Sequence, residues 1–306
     1  MKATAPSRSR ARELVGDAMP HLSKRCDGPG LLYFTGHLLA TGSSATLLWL
    51  SGETVLWPLA LLLHGTVLVH WFAPFHEAAH FTVFRSRQHN RLLGWFSGFI
   101  VWLPFDYFVL EHRQHHLFTN LPEQDSEFIP HSKSRVGWFL YCSAIPYFIS
   151  LFSTFLRYPA GRFNELERHF LGERGMRAAR REVSLMLLAY ALVIALAWCL
   201  GALALLWWYW ILPRMIAEPL MRVIRLSEHG GCAEVEDMLR NTRTVMAMPV
   251  MRQLNWNMCF HAEHHALASV PFHRLPHVHL ILKPHLEELC SSYLQASRET
   301  LSRAQS

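Results

Sequence analysis

Two long stretches of this 306-residue chain carry almost no charge, and they limit its possible folds more than any other feature. The stretch Leu31–Phe75 has Glu53 as its only charged residue, and Val183–Pro213 has none. The first stretch divides near Glu53 into two segments, about Leu31–Leu50 and Thr54–Phe75, each close to the ~20 residues with which a helix crosses a bilayer. The pattern predicts an all-α integral membrane protein.

The second stretch is too long for one simple crossing. A single helix over Val183–Pro213 would be about 46 Å long at ~1.5 Å per residue, whereas the hydrocarbon core is about 30 Å thick. We therefore predict a hairpin that turns near Gly201, with a second arm that runs through Pro213 and Pro219 to about Leu226. One long tilted helix is the alternative.

Two shorter apolar stretches have less certain roles. Leu92–Phe105 is too short to span and is predicted to be re-entrant or interfacial. Val136–Leu156 is long enough to cross, but Pro146 interrupts it. The loop that follows, Arg157–Glu182, carries seven Arg and no Lys, and short loops rich in basic residues stay on the cytoplasmic side.

These charges favour about four transmembrane helices arranged as two hairpins. In that scheme Val136–Leu156 dips into the membrane and returns, and Val183–Leu226 crosses twice. In the alternative each of these two segments crosses once, which exports the Arg-rich loop. Both schemes place all histidine clusters of the chain on one face, which the basic N-terminal tail predicts to be cytoplasmic.

The chain is predicted to contain three regions: a basic cytoplasmic tail over residues 1–30, a membrane domain over 31–282, and a C-terminal helix or tail over 283–306. The six cysteines are scattered, which indicates neither a disulfide framework nor a zinc ribbon. The net charge of +6 is typical of a protein on anionic membrane lipid. Because no basic patch interleaves with aromatic residues, nucleic acid is not an expected partner.

Eight histidines lie in three clusters that predict a shared metal site. On a helix, residues three and four apart share one face, so each cluster can direct two or three imidazoles at one point. Neutral imidazole binds iron, zinc and copper, and eight nitrogens are enough for two ions. The clusters are His76 and His80; His112, His115 and His116; and His261, His264 and His265.

From about Leu56 to Leu282 the chain resembles the membrane-bound fatty acid desaturases, whose superfamily also contains lipid hydroxylases. Their histidine-box pattern is H-x₃₋₄-H, H-x₂₋₃-H-H and [HQ]-x₂₋₃-H-H, and the three clusters match it. The resemblance implies a cytoplasmic, His-rich di-iron cap on the membrane helices, with O₂ as co-substrate. It also implies a further ligand between the last span and the third box, a position that His229 matches.

Four residues beside the boxes are predicted to support the ligands. Glu77 points away from His76 and His80 on a helix, so it is expected to orient a histidine of another box. Asp106 is expected to cap the short dip or to support a histidine. Asn120 and Asp125 follow the second box and are expected either to hold its ligands or to cap a loop.

The resemblance implies a desaturase that introduces a C=C bond into an acyl chain or another apolar, lipid-like substrate. A hydroxylase of the same superfamily is the alternative. No H-P-G-G haem segment is present, so the expected electron donor is an external ferredoxin, rubredoxin or small cytochrome with its reductase. The expected location is a bacterial inner membrane. A rival from another class is an intramembrane zinc metalloprotease, because His76-Glu77-x-x-His80 also fits H-E-x-x-H.

Overall fold

The computed structural model describes residues 7–129 and 134–304, and almost all of its regular structure is helical. The α-helices, in chain order, are α1 (Ser7–Val15), α2 (Met19–Leu22), α3 (Asp27–Leu50), α4 (Trp57–Val69), α5 (Phe72–Ala79), α6 (Arg87–Val101), α7 (Phe105–Phe118), α8 (Arg135–Cys142), α9 (Ile145–Arg157), α10 (Glu165–Cys199), α11 (Leu203–Leu206), α12 (Leu212–His229), α13 (Met238–Asn241), α14 (Pro249–Leu254), α15 (His261–Ala266), α16 (Leu275–Leu282) and α17 (Tyr293–Arg303). A π-helical turn, Trp207–Ile211, joins α11 to α12, and short 3₁₀ turns cover Gly16–Ala18, Phe272–Arg274 and Lys283–His285. Two short parallel strands, β1 (Thr244–Val245) and β2 (Leu289–Cys290), pair with each other.

Two of the described helical segments are long and apolar enough to cross a membrane: Trp57–Ala79, which comprises α4 and α5, and α10. The pairs α6–α7 and α8–α9 pass the same test as units, although they are bent by 96° and 52°. Helix α3 covers the first predicted span but is less apolar than α4, because His37 and several Ser and Thr residues lie in it. The mostly helical membrane fold is confirmed, whereas the four crossings in two hairpins stay a prediction.

The turn predicted near Gly201 is confirmed. Helix α10 ends at Cys199, Gly201 adopts φ +65°, and α11 begins at Leu203. Tyr190 in the first arm and Trp210 in the second have ring centroids 5.8 Å apart, so the second arm runs back along the first. One continuous helix over the uncharged stretch is therefore not formed.

The prediction that Arg157–Glu182 is a loop is wrong, because most of this segment forms the first half of α10. Asn164 and Glu167 form a capping box: Glu167 N donates to Asn164 Oδ1 at 2.8 Å, and Asn164 N donates to Glu167 Oε2 at 2.6 Å. Such a box satisfies backbone N–H groups that have no partner in the first turn of a helix. The basic segment thus continues directly into an apolar helix, interrupted only by the non-helical backbone of Gly172.

The dip predicted at Leu92–Phe105 corresponds to the bend between α6 and α7. Helix α6 ends where Trp102 adopts φ +62°, and Pro104 precedes α7. A Cβ atom at Gly94 would lie 2.2 Å from the Phe105 ring, so only glycine permits this close packing of the two helices. Whether the pair is a re-entrant loop or a broken span stays a prediction.

A carboxylate of α10 fixes the start of α7. Glu182 Oε1 accepts a hydrogen bond from Asp106 N at 2.8 Å, and Glu182 Oε2 accepts one from Tyr107 N at 3.0 Å. These N–H groups have no partner within their own helix, so the carboxylate caps α7 from a neighbouring element. The helix that carries the second histidine box is thereby anchored to α10.

Helices α4 and α12 pack closely beneath the histidines. A Cβ atom at Gly65 would lie 2.2 Å from the Pro213 carbonyl oxygen, so the two backbones meet at this glycine. A buried cluster that includes Phe75, Phe108 and Ile224 fills the space between α5, α7 and α12. This packing places the ends of the three helices side by side.

Both terminal segments pack on the same body as the membrane helices. In α1, Ala11 and Val15 are buried against Leu275 and Val278 of α16. In α17, Thr300 Oγ1 donates to the Gly230 carbonyl oxygen at 3.0 Å. Strand β2 was not predicted, since two residues show no periodicity; the boundaries at residues 31 and 283 stay predictions.

Candidate metal centre

All nine predicted histidines come together near the ends of α5, α7 and α12 and on α15. Helix α5 carries His76, and His80 directly follows its last residue; α12 ends at His229. Helix α7 carries the second box and α15 the third. The nine are His76, His80, His112, His115, His116, His229, His261, His264 and His265.

The nine side chains form two interlocked groups in which the candidate ligand atoms lie within 4.8 Å of one another. Group one contains five histidines and group two contains four: His76, His80, His112, His116 and His264 in the first, and His115, His229, His261 and His265 in the second. In each H-x-x-H-H box the residues four apart share a helix face, and the middle residue is turned away. Each box therefore gives a pair to one group and a single histidine to the other.

Several imidazole nitrogens of group one face each other at short distances. His80 Nε2 lies 3.0 Å from His112 Nε2 and 3.1 Å from His264 Nε2, and His116 Nε2 lies 3.1 Å from His112 Nε2. In neutral imidazole one nitrogen is a lone-pair donor to a metal when the other carries the proton. Lone pairs that converge in this way fit a central cation.

Three further nitrogens support that fit. His76 Nε2, His115 Nε2 and His265 Nε2 are buried and have no hydrogen-bond partner within residues 7–129 and 134–304. A buried polar atom without a partner costs free energy. In group two, His229 Nε2 and His261 Nε2 also face each other at 3.0 Å. The donor set of both groups therefore suits a metal ion such as iron.

Burial lowers the pKa of eight of the nine imidazoles, whereas the pKa of His115 is raised because the carboxylates of Asp125 and Glu127 outweigh its burial. Burial lowers the pKa of His80 from 6.5 to about 4. It also lowers the pKa of His264 and His265 well below 6.5, and neighbouring histidines add to the effect. At neutral pH the histidines with lowered pKa are uncharged, which is the form that binds metal.

Two carboxylates orient the second box. Glu127 Oε1 accepts a hydrogen bond from His112 Nδ1 at 2.6 Å, and Asp125 Oδ1 accepts one from His115 Nδ1 at 2.7 Å. Holding the proton on Nδ1 leaves Nε2 of each ring directed into its group. The prediction that Asp125 holds a second-box histidine agrees with this geometry, whereas Glu127 was missed.

Neutral groups orient two histidines of group two. Thr119 Oγ1 donates to the His115 carbonyl oxygen at 2.8 Å and lies 3.0 Å from His265 Nδ1, from which it can accept. The Asn241 carbonyl oxygen lies 3.4 Å from His229 Nδ1. Asn241 Nδ2 in turn donates to the Thr119 carbonyl oxygen at 2.9 Å, so both supports belong to one network.

Glu77 lies between two boxes, and half of its predicted role needs correction. Its Oε1 is 3.2 Å from His76 Nδ1, so the side chain does not point away from its own box. Its Oε1 is also 3.9 Å from His264 Nδ1, in agreement with the predicted approach to another box. Glu77 lies two residues before the end of the short helix α5.

Asp106 and Asn120 do not contact the histidines. Asp106 Oδ2 accepts from Arg91 at 2.8 Å, because the residue lies in the first turn of α7, about a turn and a half before His112. Asn120 Nδ2 donates to the Cys232 carbonyl oxygen at 3.1 Å and so holds the chain that follows α12. The support of ligands stays a prediction for both residues: among the described residues Asp106 pairs with Arg91, and Asn120 reaches the second box through Asp125, which accepts from its N–H.

A cavity of about 540 Å³ lies between α6 and α10. One end is polar and the other is apolar. The polar lining residues are Arg91, Asp106, Arg181 and Glu182, and the apolar ones are Trp95, Phe99, Leu103, Phe105, Ala178, Leu185, Met186 and Ala189. The volume is typical of a site for a small molecule or a single chain.

A thin aromatic layer separates this cavity from group one. The Phe105 ring lines the cavity and lies 5.8 Å from the Phe75 ring, and Phe75 lies 4.6 Å from Phe108. Phe108 stacks on His112 with ring centroids 4.9 Å apart. Along this path three aromatic side chains, Phe105, Phe75 and Phe108, lie between the cavity and His112.

Comparison with known proteins gives one family. A family model described as fatty acid desaturase matches residues 53–297. The omega-6 fatty acid desaturase, endoplasmic reticulum isozyme 1, of Glycine max is 27% identical over 85 residues, which are 28% of this chain and 22% of that protein. The delta(12) acyl-lipid conjugase (11E,13E-forming) of Momordica charantia is 25% identical over 83 residues, 27% of this chain and 21% of that protein.

A longer match extends over most of the chain. The sn-1 acyl-lipid omega-3 desaturase (ferredoxin) of Nostoc sp. (strain 36) is 23% identical over 223 residues, which are 70% of this chain and 61% of that protein. The chain therefore spans about a fifth of the length of the two plant relatives and less than two thirds of the Nostoc relative.

Proposed function

The chain belongs to the fatty acid desaturase family, and on that premise we propose that it is a membrane oxidoreductase that introduces a C=C bond into an acyl chain. It would use two iron ions, one in each histidine group, and O₂ as co-substrate. The observation that carries this proposal is the pair of interlocked groups: in each, the candidate ligand atoms lie within 4.8 Å of one another, and His76 Nε2, His115 Nε2 and His265 Nε2 are buried without a hydrogen-bond partner among the described residues.

The bound irons would supply, with O₂ and two external electrons, an oxidant able to break an unactivated C–H bond. The chain's own part is to hold the ligands in place. Glu127 and Asp125 keep the protons of His112 and His115 on Nδ1. Phe75 and Phe108 keep water away from group one, since both are nearly fully buried.

The cavity between α6 and α10 supports an apolar substrate with a polar end. Trp95, Phe99 and Leu185 would contact an acyl chain, while Arg91 and Arg181 lie where an anionic head group would sit. The names of the Momordica and Nostoc relatives describe acyl-lipid substrates. We therefore propose an acyl lipid as the substrate.

The electrons would come from an external donor that docks near the boxes. Ferredoxin, named for the Nostoc relative, is the first candidate, and rubredoxin or a small cytochrome with its reductase would serve in the same way. Exposed Arg85, Arg87 and Arg113 would attract an acidic carrier. Such steering weakens as salt screens it.

The enzyme would be a multi-pass protein of a bacterial inner membrane, with both histidine groups on the cytoplasmic side. The Arg-rich first half of α10 supports this orientation, because short basic segments stay in the cytoplasm. Since α10 then enters the membrane from that side, Cys199 would lie near the opposite face.

A hydroxylase of the same superfamily remains the second candidate. Desaturation and hydroxylation share the first hydrogen abstraction and differ in whether a second hydrogen leaves or oxygen is inserted. The zinc metalloprotease receives no support. His76 and His80 share their group with three histidines from α7 and α15, whereas a protease site keeps three protein ligands and an open position.

The test is to purify the protein in detergent, measure iron and zinc, and supply ferredoxin, its reductase and a bacterial lipid extract. We expect one iron per histidine group and products two hydrogens lighter than the substrate by mass spectrometry. His264→Ala should abolish turnover and reduce iron. His169→Ala is the matched control, because His169 is exposed on α10 away from both groups.

Each outcome separates the candidates. Products one oxygen heavier would replace the desaturase with the hydroxylase. Stoichiometric zinc without iron would reject the proposal. Equal iron content and turnover in the His264→Ala and His169→Ala variants would reject the assignment of the histidine groups.

A further inference from the structure

A buried arginine stands between the two histidine groups. Arg225 lies near the end of α12, and its side chain is 6% exposed. Its NH2 donates to Glu127 Oε2 at 2.5 Å, and its NH1 donates to Glu228 Oε2 at 3.0 Å. A cation so deeply buried is stable only when carboxylates pair with it.

Each of these carboxylates reaches a different histidine group. Glu127 uses its other oxygen, Oε1, to accept from His112 Nδ1 of group one at 2.6 Å. Glu228 Oε2 lies 3.7 Å from His261 Nε2 of group two. Arg225 therefore touches no ligand itself but is one carboxylate away from both groups.

Glu127 lies close to one histidine of each group. It forms a third grouping with His112 and His115, in which the candidate ligand atoms again lie within 4.8 Å of one another. His112 belongs to group one and His115 to group two, so a shift of this carboxylate would disturb both. Arg225 is the residue that holds its second oxygen.

The arginine side chain suits this role better than lysine would. Its planar guanidinium presents several N–H donors in a fixed fork, so two carboxylates can be held at a set separation and angle. The face of Phe72, 5.2 Å from the guanidinium carbon, restricts the plane of the fork. Phe72 also lies beside His76 of group one, with ring centroids 6.0 Å apart.

We propose that Arg225 is a positioning residue. Its guanidinium holds Glu127 and Glu228 at a fixed separation, and in this way it sets the distance and orientation of the two metal sites relative to each other. This inference rests on the proposed function, because it requires a metal in each group. It assigns a specific task to a buried charge of α12.

The test compares Arg225→Gln with Arg222→Gln. Arg222 lies about one turn earlier on α12, where it pairs with Glu218 at 2.6 Å and stacks on Tyr147 at 4.1 Å. Both changes remove one buried positive charge from the same helix. The measurements are iron(II) affinity by chelator competition and the Mössbauer spectrum of the iron-loaded protein.

We expect Arg225→Gln to weaken iron binding about 10- to 100-fold, as loss of an outer support of a ligand does, and to change the Mössbauer spectrum. Arg222→Gln should leave both measurements near the wild-type result. Arg225→Lys restores the charge without the fork, so it should recover part of the affinity while the spectrum stays altered.

A wild-type protein that binds no iron would overturn the proposed function itself. If the wild type binds iron, and the two Arg225 variants match it in affinity and spectrum, the positioning role is wrong and the function stands. If both Arg225 variants fail to fold without metal while Arg222→Gln folds, Arg225 has a folding role and the proposal is also overturned.

Discussion

Asp125→Asn should weaken the second metal site although Asp125 is not itself one of its predicted ligands. The Asp125 side chain is 2% exposed and its carboxylate accepts three hydrogen bonds. Its Oδ1 accepts from His115 Nδ1 at 2.7 Å and from Glu127 N at 2.8 Å, and its Oδ2 accepts from Asn120 N at 2.7 Å. Asparagine removes the negative charge, so His115 Nδ1 loses its bond to a charged group, and the new NH₂ group must face one of these donors.

The magnitude follows from the bond that is lost. A hydrogen bond to a charged group contributes about 1.5–3 kcal/mol. At about 1.36 kcal/mol per tenfold change, that energy corresponds to a 10- to 100-fold loss of affinity, the same range as for other outer supports of metal-binding histidine. Because His115 belongs to group two, we expect iron to leave group two first.

The assay is iron(II) titration against a chelator, with iron counted per chain. Asp106→Asn is the matched control, since it removes the same charge from a partly exposed pair with Arg91. Exposed pairs contribute about 0–1 kcal/mol, and this one touches no histidine. Equal iron affinity in the two variants would refute the argument that Asp125 orients a ligand.

Three further outcomes are expected. Burial lowers the pKa of His80 from 6.5 to about 4, so below pH 6.5 the unfolded chain binds a proton at this residue and the folded chain does not. The free energy of unfolding of the metal-free protein should therefore fall by up to roughly 3 kcal/mol between pH 6.5 and pH 4. Thermal unfolding measures this, and a flat pH profile would contradict it. Gly65→Ala should destabilise the protein by about 1–3 kcal/mol, because the new methyl group overlaps the α12 backbone; unchanged unfolding in detergent would speak against that contact. A membrane-impermeant thiol reagent applied outside should label exposed Cys199 but not the thiol introduced by Arg168→Cys, and the reverse pattern would invert the topology.

The spacing of the histidines was enough to find the site but not to divide it. Helical periodicity predicts that His112 and His116 share a face, and the structure agrees. Which histidines of the third box join them depends on how α7 and α15 cross, and no local pattern reports that. Tertiary packing therefore decides that His264 joins the second-box pair in group one and that His115 joins the third-box pair in group two.

The supports of the ligands were harder to predict, because they lie in segments without periodicity. Asp125 was predicted, but Glu127 was missed two residues later, although both contact second-box histidines. Arg225 and Glu228 had a readable signal, since charges within the second arm of the hairpin require partners. The capping box at Asn164 was equally readable and would have predicted the helical start of α10.

The contact between α17 and the end of α12 has a consequence for how the protein is made. Thr300 and Arg303 donate to the carbonyl oxygens of Gly230 and Gly231, the two residues that follow His229. Some 70 residues separate the two contact partners in the chain. At about 5–20 residues per second, a ribosome needs roughly 4–14 s to add them. During that interval His229 would already be synthesised while the hydrogen bonds that hold the two residues after it are still missing, so this corner of group two would be completed only when the C-terminal helix has been made.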